Sequence, residues 1–276
     1  MTEPHPNPLI RKFEHLYPLT AEEKRVLDSV CARTERFHAD HDVVRIGDMP
    51  KECNLLLEGI VFRYEITPEG KRQIMSFQFP GDIFDAQSFV LDEMDHSIAT
   101  LTPCKVGVIP HGTMREITED FPRIARALWK DTLVDAAVFR KWLVSLGRKS
   151  APQRIAHLMC EIFLRLQAVN LNRGPTIDWP YTQAEIGDAL GLSNVHVNRS
   201  MQTLRKGGAI TLRNATLTIE DWDRLRDIGQ FDPAYLHLRG KRRLARKPRP
   251  LGATPADRRA WPRSPCPRKR GRYNIG

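Results

Sequence analysis

The stretch YTQAEIGDALGLSNVHVNRSMQTLRKGGAITLRNATLTI, from Tyr181 to Ile219, constrains this chain more than any other: it orders a capped helix, a glycine turn, a second helix and a short hairpin. Thr182 stands three residues before Glu185, the capping-box spacing that satisfies two orphan amides of a first helical turn. Ile186 and Leu190 then share a face, and Gly191 sits where the chain must turn sharply, a position at which a missing Cβ permits positive φ. Ser193 supplies the cap of the second helix. There Val197, Met201 and Leu204 recur at helical spacing and predict a buried stripe, which turns Val195, Arg199, Gln202 and Lys206 outward, with His196, Asn198 and Thr203 flanking them. Ile210 to Leu212 and Leu217 to Ile219 read as two strands joined by Arg213-Asn214-Ala215-Thr216.

This order predicts a winged helix-turn-helix, whose second helix has the shape to enter the major groove of duplex DNA, where all four base pairs can be told apart. The competing reading is an ordinary amphipathic helix pair in an α-helical core, but the glycine turn, the two caps and the basic hairpin tip together have few other uses. The residues expected to meet DNA are Thr182, Ser193, Asn194, Val195, His196, Asn198, Arg199, Gln202, Lys206 and Arg213. Arg199 leads them, because its guanidinium can pair with guanine O6 and N7 or hold a phosphate, and it gains nothing from core packing at an outward position.

The net charge of +10 invites the same conclusion until it is divided along the chain. Residues 1–146 carry 18 Lys and Arg against 23 Asp and Glu; residues 147–238 carry 11 against 9; residues 239–276 carry 14 against 1. The basicity therefore belongs to the tail, and recognition by the helix pair must rest on a few placed cations rather than on a broad field. The tail, from Arg239 to Gly276, lacks apolar periodicity and is expected to be disordered, either as a non-specific DNA-binding arm or as a solvated extension.

No apolar run approaches the roughly 18 residues that a bilayer span needs, and the N-terminus lacks a charged-then-apolar signal layout, so a cytoplasmic protein with no membrane partner is expected. Cys31, Cys53, Cys104, Cys160 and Cys266 are odd in number and widely spaced, which argues against a disulfide framework and against a thiolate metal site.

The first half reads differently. After a short helix that Thr20 and Glu23 can cap, β-rich segments run from Val43 to Ile46, Asn54 to Tyr64, Arg72 to Phe79, Ile98 to Thr102 and Val106 to Ile109, broken by Gly47-Asp48, Glu58-Gly59, Pro68-Glu69-Gly70 and Pro80-Gly81-Asp82. Many short strands with turn chemistry between them imply a sandwich or barrel. From Pro122 to Leu146 the pattern returns to helix, with Leu128, Leu133, Val134, Ala137, Val138 and Trp142 in one apolar band that suits a dimer seam. Gly147 is expected to end that helix, and Ser150 with Pro152 to start the next.

In this order of parts the chain resembles the Crp/Fnr family of bacterial transcription regulators over roughly residues 10–225. EGKRQIMSFQFPGDIF, from Glu69 to Phe84, is similar to the family's hairpin leading into its effector-binding turn, and EIGDALGLSNVHVNRSMQTLRKGGAI is similar to its DNA-reading helices. VHVNR, from Val195 to Arg199, is similar to FixK-like forms. The resemblance implies an α+β fold in four parts: an N-terminal β-roll of the cyclic-nucleotide-binding, jelly-roll kind over 1–121, a dimerisation helix over 122–147, a winged helix-turn-helix over 148–238, and the basic tail over 239–276. It also implies a homodimer on a palindromic operator, control by a small-molecule effector or redox signal at the roll, and RNA polymerase as a partner.

Departures from the family pattern narrow the signal. Cyclic-AMP-binding members place a Gly-Glu pair and an Arg-Ser pair around the nucleotide, and the matching positions here are Asp85-Ala86 and His96-Ser97, which become the candidate effector pocket. An anion would meet a carboxylate and a mostly neutral histidine there, which disfavours cyclic AMP. The cysteine cluster of iron–sulfur members has no counterpart before Cys31, which disfavours a cluster, so no cofactor is expected. Asn194 and Val195 replace a frequent Arg-Glu, which points to a different operator half-site; Ser200 replaces a usual core hydrophobe, a further departure from the family pattern. His96, His38 and His41 are expected to be hydrogen-bonded residues rather than metal ligands. The alternatives are a cupin-like metal-dependent enzyme with a regulatory C-terminal half, for which no His-x-His pair or catalytic motif speaks, and a regulator of the same family that takes no ligand.

Overall fold

A computed structural model describes residues 5–238 of the chain, and the basic segment from Arg239 to Gly276 lies outside the described residues. Two helices, α1 (Pro8–Leu16) and α2 (Ala21–Asp28), precede the strands β1 (Arg33–Phe37), β2 (Asp42–Val44), β3 (Glu52–Glu58), β4 (Val61–Ile66), β5 (Arg72–Gln78), β6 (Ser97–Thr100) and β7 (Cys104–Pro110). There follow α3 (His111–Asp120), α4 (Pro122–Arg148), α5 (Ala151–Ala168), β8 (Thr176–Asp178), α6 (Gln183–Leu190), α7 (Asn194–Lys206), β9 (Ile210–Arg213), β10 (Thr216–Ile219) and α8 (Trp222–Gly229).

The first seven strands form two antiparallel sheets, ordered β1-β7-β3 and β2-β6-β4-β5. Alternate residues of both point inward, so that Val44, Leu56, Val61, Ile98 and Val106 share one core with Phe84 and Met94. This is the expected β-roll. Sequence pattern gives no sign of β1, because Arg-Thr-Glu-Arg-Phe has no apolar face; the strand forms by pairing with β7, Arg33 opposite Val108 through Phe37 opposite Cys104. The run from Asn54 to Tyr64 divides at Gly59, whose φ is +93° and where an added Cβ would lie 2.5 Å from the Pro103 carbonyl oxygen.

Two expectations for α4 are corrected. Gly147 does not end it: the helix continues to Arg148 and stops at Lys149, whose extended ψ of 148° leads into the Ser150 cap of α5. That cap is fixed when the Ser150 amide donates to Gln153 Oε1 at 2.9 Å, so the stop is set by the start of the next helix rather than by the glycine. The apolar band expected as a dimer seam also faces mostly inward. Ala137, Val138 and Trp142 are buried, and Leu128 and Val134 pack on the cluster formed by α1, β3 and β7. Only Leu133 of that set is exposed, and the outward stripe consists of Trp129, Leu133, Leu143 and Val144.

A cluster of ion pairs, with Arg63 and Asp82 buried and the other members half-buried, joins the parts. Lys12 of α1 lies 2.6 Å from Asp82, in the turn after β5, and 2.6 Å from Asp131 of α4. Asp82 also takes Arg165 of α5 at 3.0 Å, and Arg63 of β4 pairs with Asp135 of α4. Burial works against the Lys12 ammonium, but Asp131 and Asp82 overcome it and hold its pKa above the ordinary value. Burial likewise opposes the Asp82 carboxylate, and Lys12 and Arg165 more than compensate, keeping it below the usual range. A second buried network binds α5 to the end of the described chain. Glu161 accepts from Trp142 Nε1 at 3.1 Å and from the Tyr235 hydroxyl at 2.6 Å. His157, beside Tyr235, is held neutral by burial and by the Lys149 ammonium, its pKa pushed down to about 3.

Replacing Arg165 by Leu leaves Asp82 with one cation where it had two. The expected result is a loss of about 3–5 kcal/mol in unfolding free energy, the range for stripping one member from a buried ion cluster, read from urea unfolding.

Candidate nucleic-acid interface

The Thr182 hydroxyl accepts from the Glu185 amide at 3.2 Å while Glu185 Oε2 accepts from the Thr182 amide at 2.6 Å, and this reciprocal cap starts α6. The helix ends at Gly191, which adopts the left-handed conformation at φ 60°. One turn back, Gly187 lets the chain fold over itself: a Cβ there would lie 2.5 Å from the Leu192 carbonyl oxygen. Ser193 then caps α7 by accepting from the His196 amide at 3.4 Å.

In α7 the predicted inward stripe is buried: Val197 and Leu204 are 0% exposed, Met201 8%. Ser200 joins them at 4%, filling a core position with a hydroxyl in place of a hydrophobe. The other side is open. Asn194, Val195, His196, Asn198, Arg199, Gln202, Thr203 and Lys206 are all exposed, and Val195 is 58% exposed on a face that gives it nothing to pack against. Gln202 Nε2 donates to Asn198 Oδ1 at 2.8 Å, which pre-orients two amides one turn apart. Among the described residues no carboxylate pairs with Arg199 or Lys206, so both cations are uncommitted.

The wing is a three-stranded sheet, β8-β10-β9, one strand more than the hairpin seen in sequence. β9 and β10 each extend one residue further than expected, leaving Asn214 and Ala215 as a two-residue turn with φ of 49° and 53°. Positive φ at both turn positions matches the right-handed twist of a hairpin. Alanine is an unusual occupant, and Asn-Ala lacks the Asn-Gly signature that would have fixed the turn from sequence. Arg213 stands exposed beside the tip.

The reading unit also touches the roll. Arg72 of β5 donates to Asp188 of α6 at 2.9 Å, and Gln73 to the Ala189 carbonyl at 3.4 Å, so the hairpin supports the back of α6 while the open face of α7 points elsewhere.

The four residues expected as an effector pocket are not gathered into one. Asp85 is fully buried and accepts from the Asn54 amide at 2.6 Å and from Asn54 Nδ2 at 2.7 Å; burial pushes its carboxyl up to about 6. Ser97 accepts from the Ile46 amide at 3.1 Å, and His96 is occupied by Asp95 and Gln87. These three hold the roll together. Only Ala86 borders the main cavity, about 340 Å³ in volume, whose charged lining is Lys12, Arg63, Asp82, Asp131, Asp135 and Arg165. Sequence reasoning missed those six because they are scattered over four elements and a turn; the one local signal is the i, i+4 spacing of Asp131 and Asp135. Burial pushes the Cys31, Cys53 and Cys104 thiols above their ordinary value, Cys53 to about 12, the reverse of thiolate activation.

Fold and interface together define a regulator that reads duplex DNA through a winged helix-turn-helix carried on a β-roll. Comparison with known proteins agrees. Residues 153–228 match the Crp-like helix-turn-helix domain, and residues 34–121 match the cyclic nucleotide-binding domain. The nitrogen fixation regulation protein FixK of Bradyrhizobium diazoefficiens is 26% identical over 217 residues, covering 77% of this chain and 82% of its own. The transcriptional activator protein FnrL of Cereibacter sphaeroides is 26% identical over 193 residues, covering 68% and 77%. Among solved structures, FixK2 from Bradyrhizobium japonicum superposes with a TM-score of 0.63 at 21% identity, covering 71% of this chain and 96% of its own. The chain belongs to the Crp/Fnr family of transcription regulators. Its relatives are regulators rather than enzymes, which removes the cupin reading. No helix among the described residues is long and apolar enough to cross a membrane.

Proposed function

We propose that this regulator acts as a homodimer on a palindromic operator, each subunit laying α7 in a major groove, under the control of a signal received at the roll. The observation that carries this reading is the division of α7 itself: a stripe of Val197, Met201 and Leu204 sealed in the core, and an opposite face on which Arg199 is exposed and free of any carboxylate among the described residues. Arg199 is assigned to a guanine edge, Asn198 and Gln202 to an adenine, and Val195 to a thymine methyl, the only base group in the major groove that rewards an apolar side chain. Asn194, Ser193, Thr182, His196, Lys206 and Arg213 surround these and are assigned to the phosphates.

Support for the dimer comes from the outward face of α4. Trp129 (68% exposed), Leu133 (53%) and Leu143 (72%) fall with Ala136, Arg140 and Gly147 on alternating spacings of three and four, the 3.5-residue repeat of a two-helix seam. Large apolar side chains in a row are costly to leave in water, and a second copy of the helix covers them. Cyclic AMP is not proposed as the signal, because Arg63, one of the three cations lining the cavity, is already spent on Asp135 and the Phe84 carbonyl; an iron–sulfur cluster is not proposed either, since no cysteine cluster precedes Cys31. RNA polymerase is the protein partner proposed, and the cytoplasm the place of action.

Selection of bound duplexes from a random pool is expected to return an inverted repeat with half-site centres about one helical turn, or a multiple of it, apart; recovery of unrelated sequences would end the reading. On that operator Arg199→Ala is expected to cost about 1–3 kcal/mol and to relax one base position, and unchanged affinity would remove Arg199 from base contact. Replacing the thymine opposite Val195 by uracil, which lacks only the methyl group, is expected to weaken the wild-type complex and leave Val195→Ala indifferent; equal sensitivity of both proteins would refute the methyl contact. Leu133→Lys together with Leu143→Lys is expected to give a monomer by sedimentation that has lost the two-half-site complex, and a dimer surviving both changes would place the seam elsewhere.

A further inference from the structure

We propose that the cavity where α1, the roll, α4 and α5 meet binds an uncharged, largely apolar small molecule, and that this molecule is the effector; the second clause rests on the regulatory reading above. At about 340 Å³ the cavity lies near the lower end of small-molecule sites, which run from roughly 300 to 1,000 Å³.

The charges in its lining decide the class of guest. Three cations and three carboxylates line it, a net of zero, and each cation is already committed. Lys12 is shared between Asp82 and Asp131, at 2.6 Å from each. The Arg63 guanidinium gives two of its nitrogens to the Phe84 carbonyl, at 3.1 and 2.8 Å, and a third to Asp135. Arg165 donates to the Phe77 carbonyl at 3.0 Å and to Asp82 at 3.0 Å, with its plane 4.7 Å over the Phe79 ring. A phosphate or carboxylate entering here would have to pull a cation from its partner and strand a buried aspartate. A neutral guest disturbs none of these pairs.

The remaining wall suits such a guest. Phe79, Val134, Val138 and Leu238 present hydrocarbon to the cavity, and Val90 and Leu91 at its edge are 77% and 51% exposed, an apolar rim that an apolar occupant would remove from water. The lining also explains how occupancy would reach the DNA. Ala168 and Val169, at the end of α5, and Leu236 and Leu238, after α8, belong to the reading half, while Ala86 and Val90 belong to the roll. A molecule that touches both halves favours whichever arrangement of the two gives it more contact, and so shifts the population that binds operator.

The test uses the full-length protein and N-phenyl-1-naphthylamine, a neutral fluorophore that brightens in apolar surroundings. The expected result is saturable emission at one dye per subunit, unaffected by inorganic phosphate or cyclic AMP. Ala86→Phe, which fills the cavity, and Val90→Asp, an exposed change that charges its rim and leaves the core intact, should each weaken dye binding at least tenfold without changing the far-UV dichroism. Absence of saturable emission, equal binding by both variants, or displacement by cyclic AMP would overturn the site. Operator affinity measured on the same samples separates the two claims: dye bound with operator affinity unchanged overturns the effector role, whereas failure to bind any duplex defeats the DNA reading and leaves the dye result standing.

Discussion

The buried ion cluster around Asp82 is the interaction on which the rest of the molecule depends. One carboxylate, in the turn that follows β5, receives the ammonium of α1 and the guanidinium of α5 at once. Asp131 and Asp135 then bring α4 to the same point through Lys12 and Arg63. Each of these groups resists leaving water, and none is stable in the interior without its partner, so the pairs tie the helices to the roll. Roll, long helix and reading half are thereby held by one set of pairs rather than strung along a flexible chain. The hydrophobic surfaces around the cluster supply the bulk of the stabilisation, but they are tolerant of sliding; paired charges are not, and they fix the register.

That arrangement shapes what the DNA-reading unit can do. The hairpin of β4 and β5 supports α6 through Arg72 and Gln73, and α7 leans on α6 through its own buried stripe, so the orientation of the exposed face is inherited from the roll. The reading half carries little net charge, and a few uncommitted cations and amides on one helix face must therefore do the discriminating work while contributing little long-range attraction. A site of this kind is sensitive to small changes in how its helix face is held, which is the quantity that the proposed ligand between roll and reading half would alter.

The reading unit was legible in sequence because its signals are local. Thr182 with Glu185, Gly191, Ser193 and the spacing of Val197, Met201 and Leu204 all act within a turn or two of chain, and each holds in the structure. The roll was legible as an architecture but not strand by strand: β1 has no apolar face of its own and exists only because β7 offers it a partner. α4 shows the sharper limit. Its apolar residues cover more than one face, and periodicity cannot say which face the rest of the protein will claim; Ala137, Val138 and Trp142 went inward, leaving Trp129, Leu133 and Leu143 outside.

By itself, then, the sequence determined a capped helix pair with a wing, its outward residues, a turn-rich β-roll and a long helix between them, since all of these follow from hydrogen bonds and periodicities a few residues in range. Tertiary structure alone decided which side of α4 is free, that Asp85, His96 and Ser97 hold the roll together instead of lining its cavity, and that six charged residues between Lys12 and Arg165 converge on one place. Charge pairing across as many as 119 positions of chain leaves almost no local trace, because it is settled by which surfaces the burial of hydrocarbon brings together.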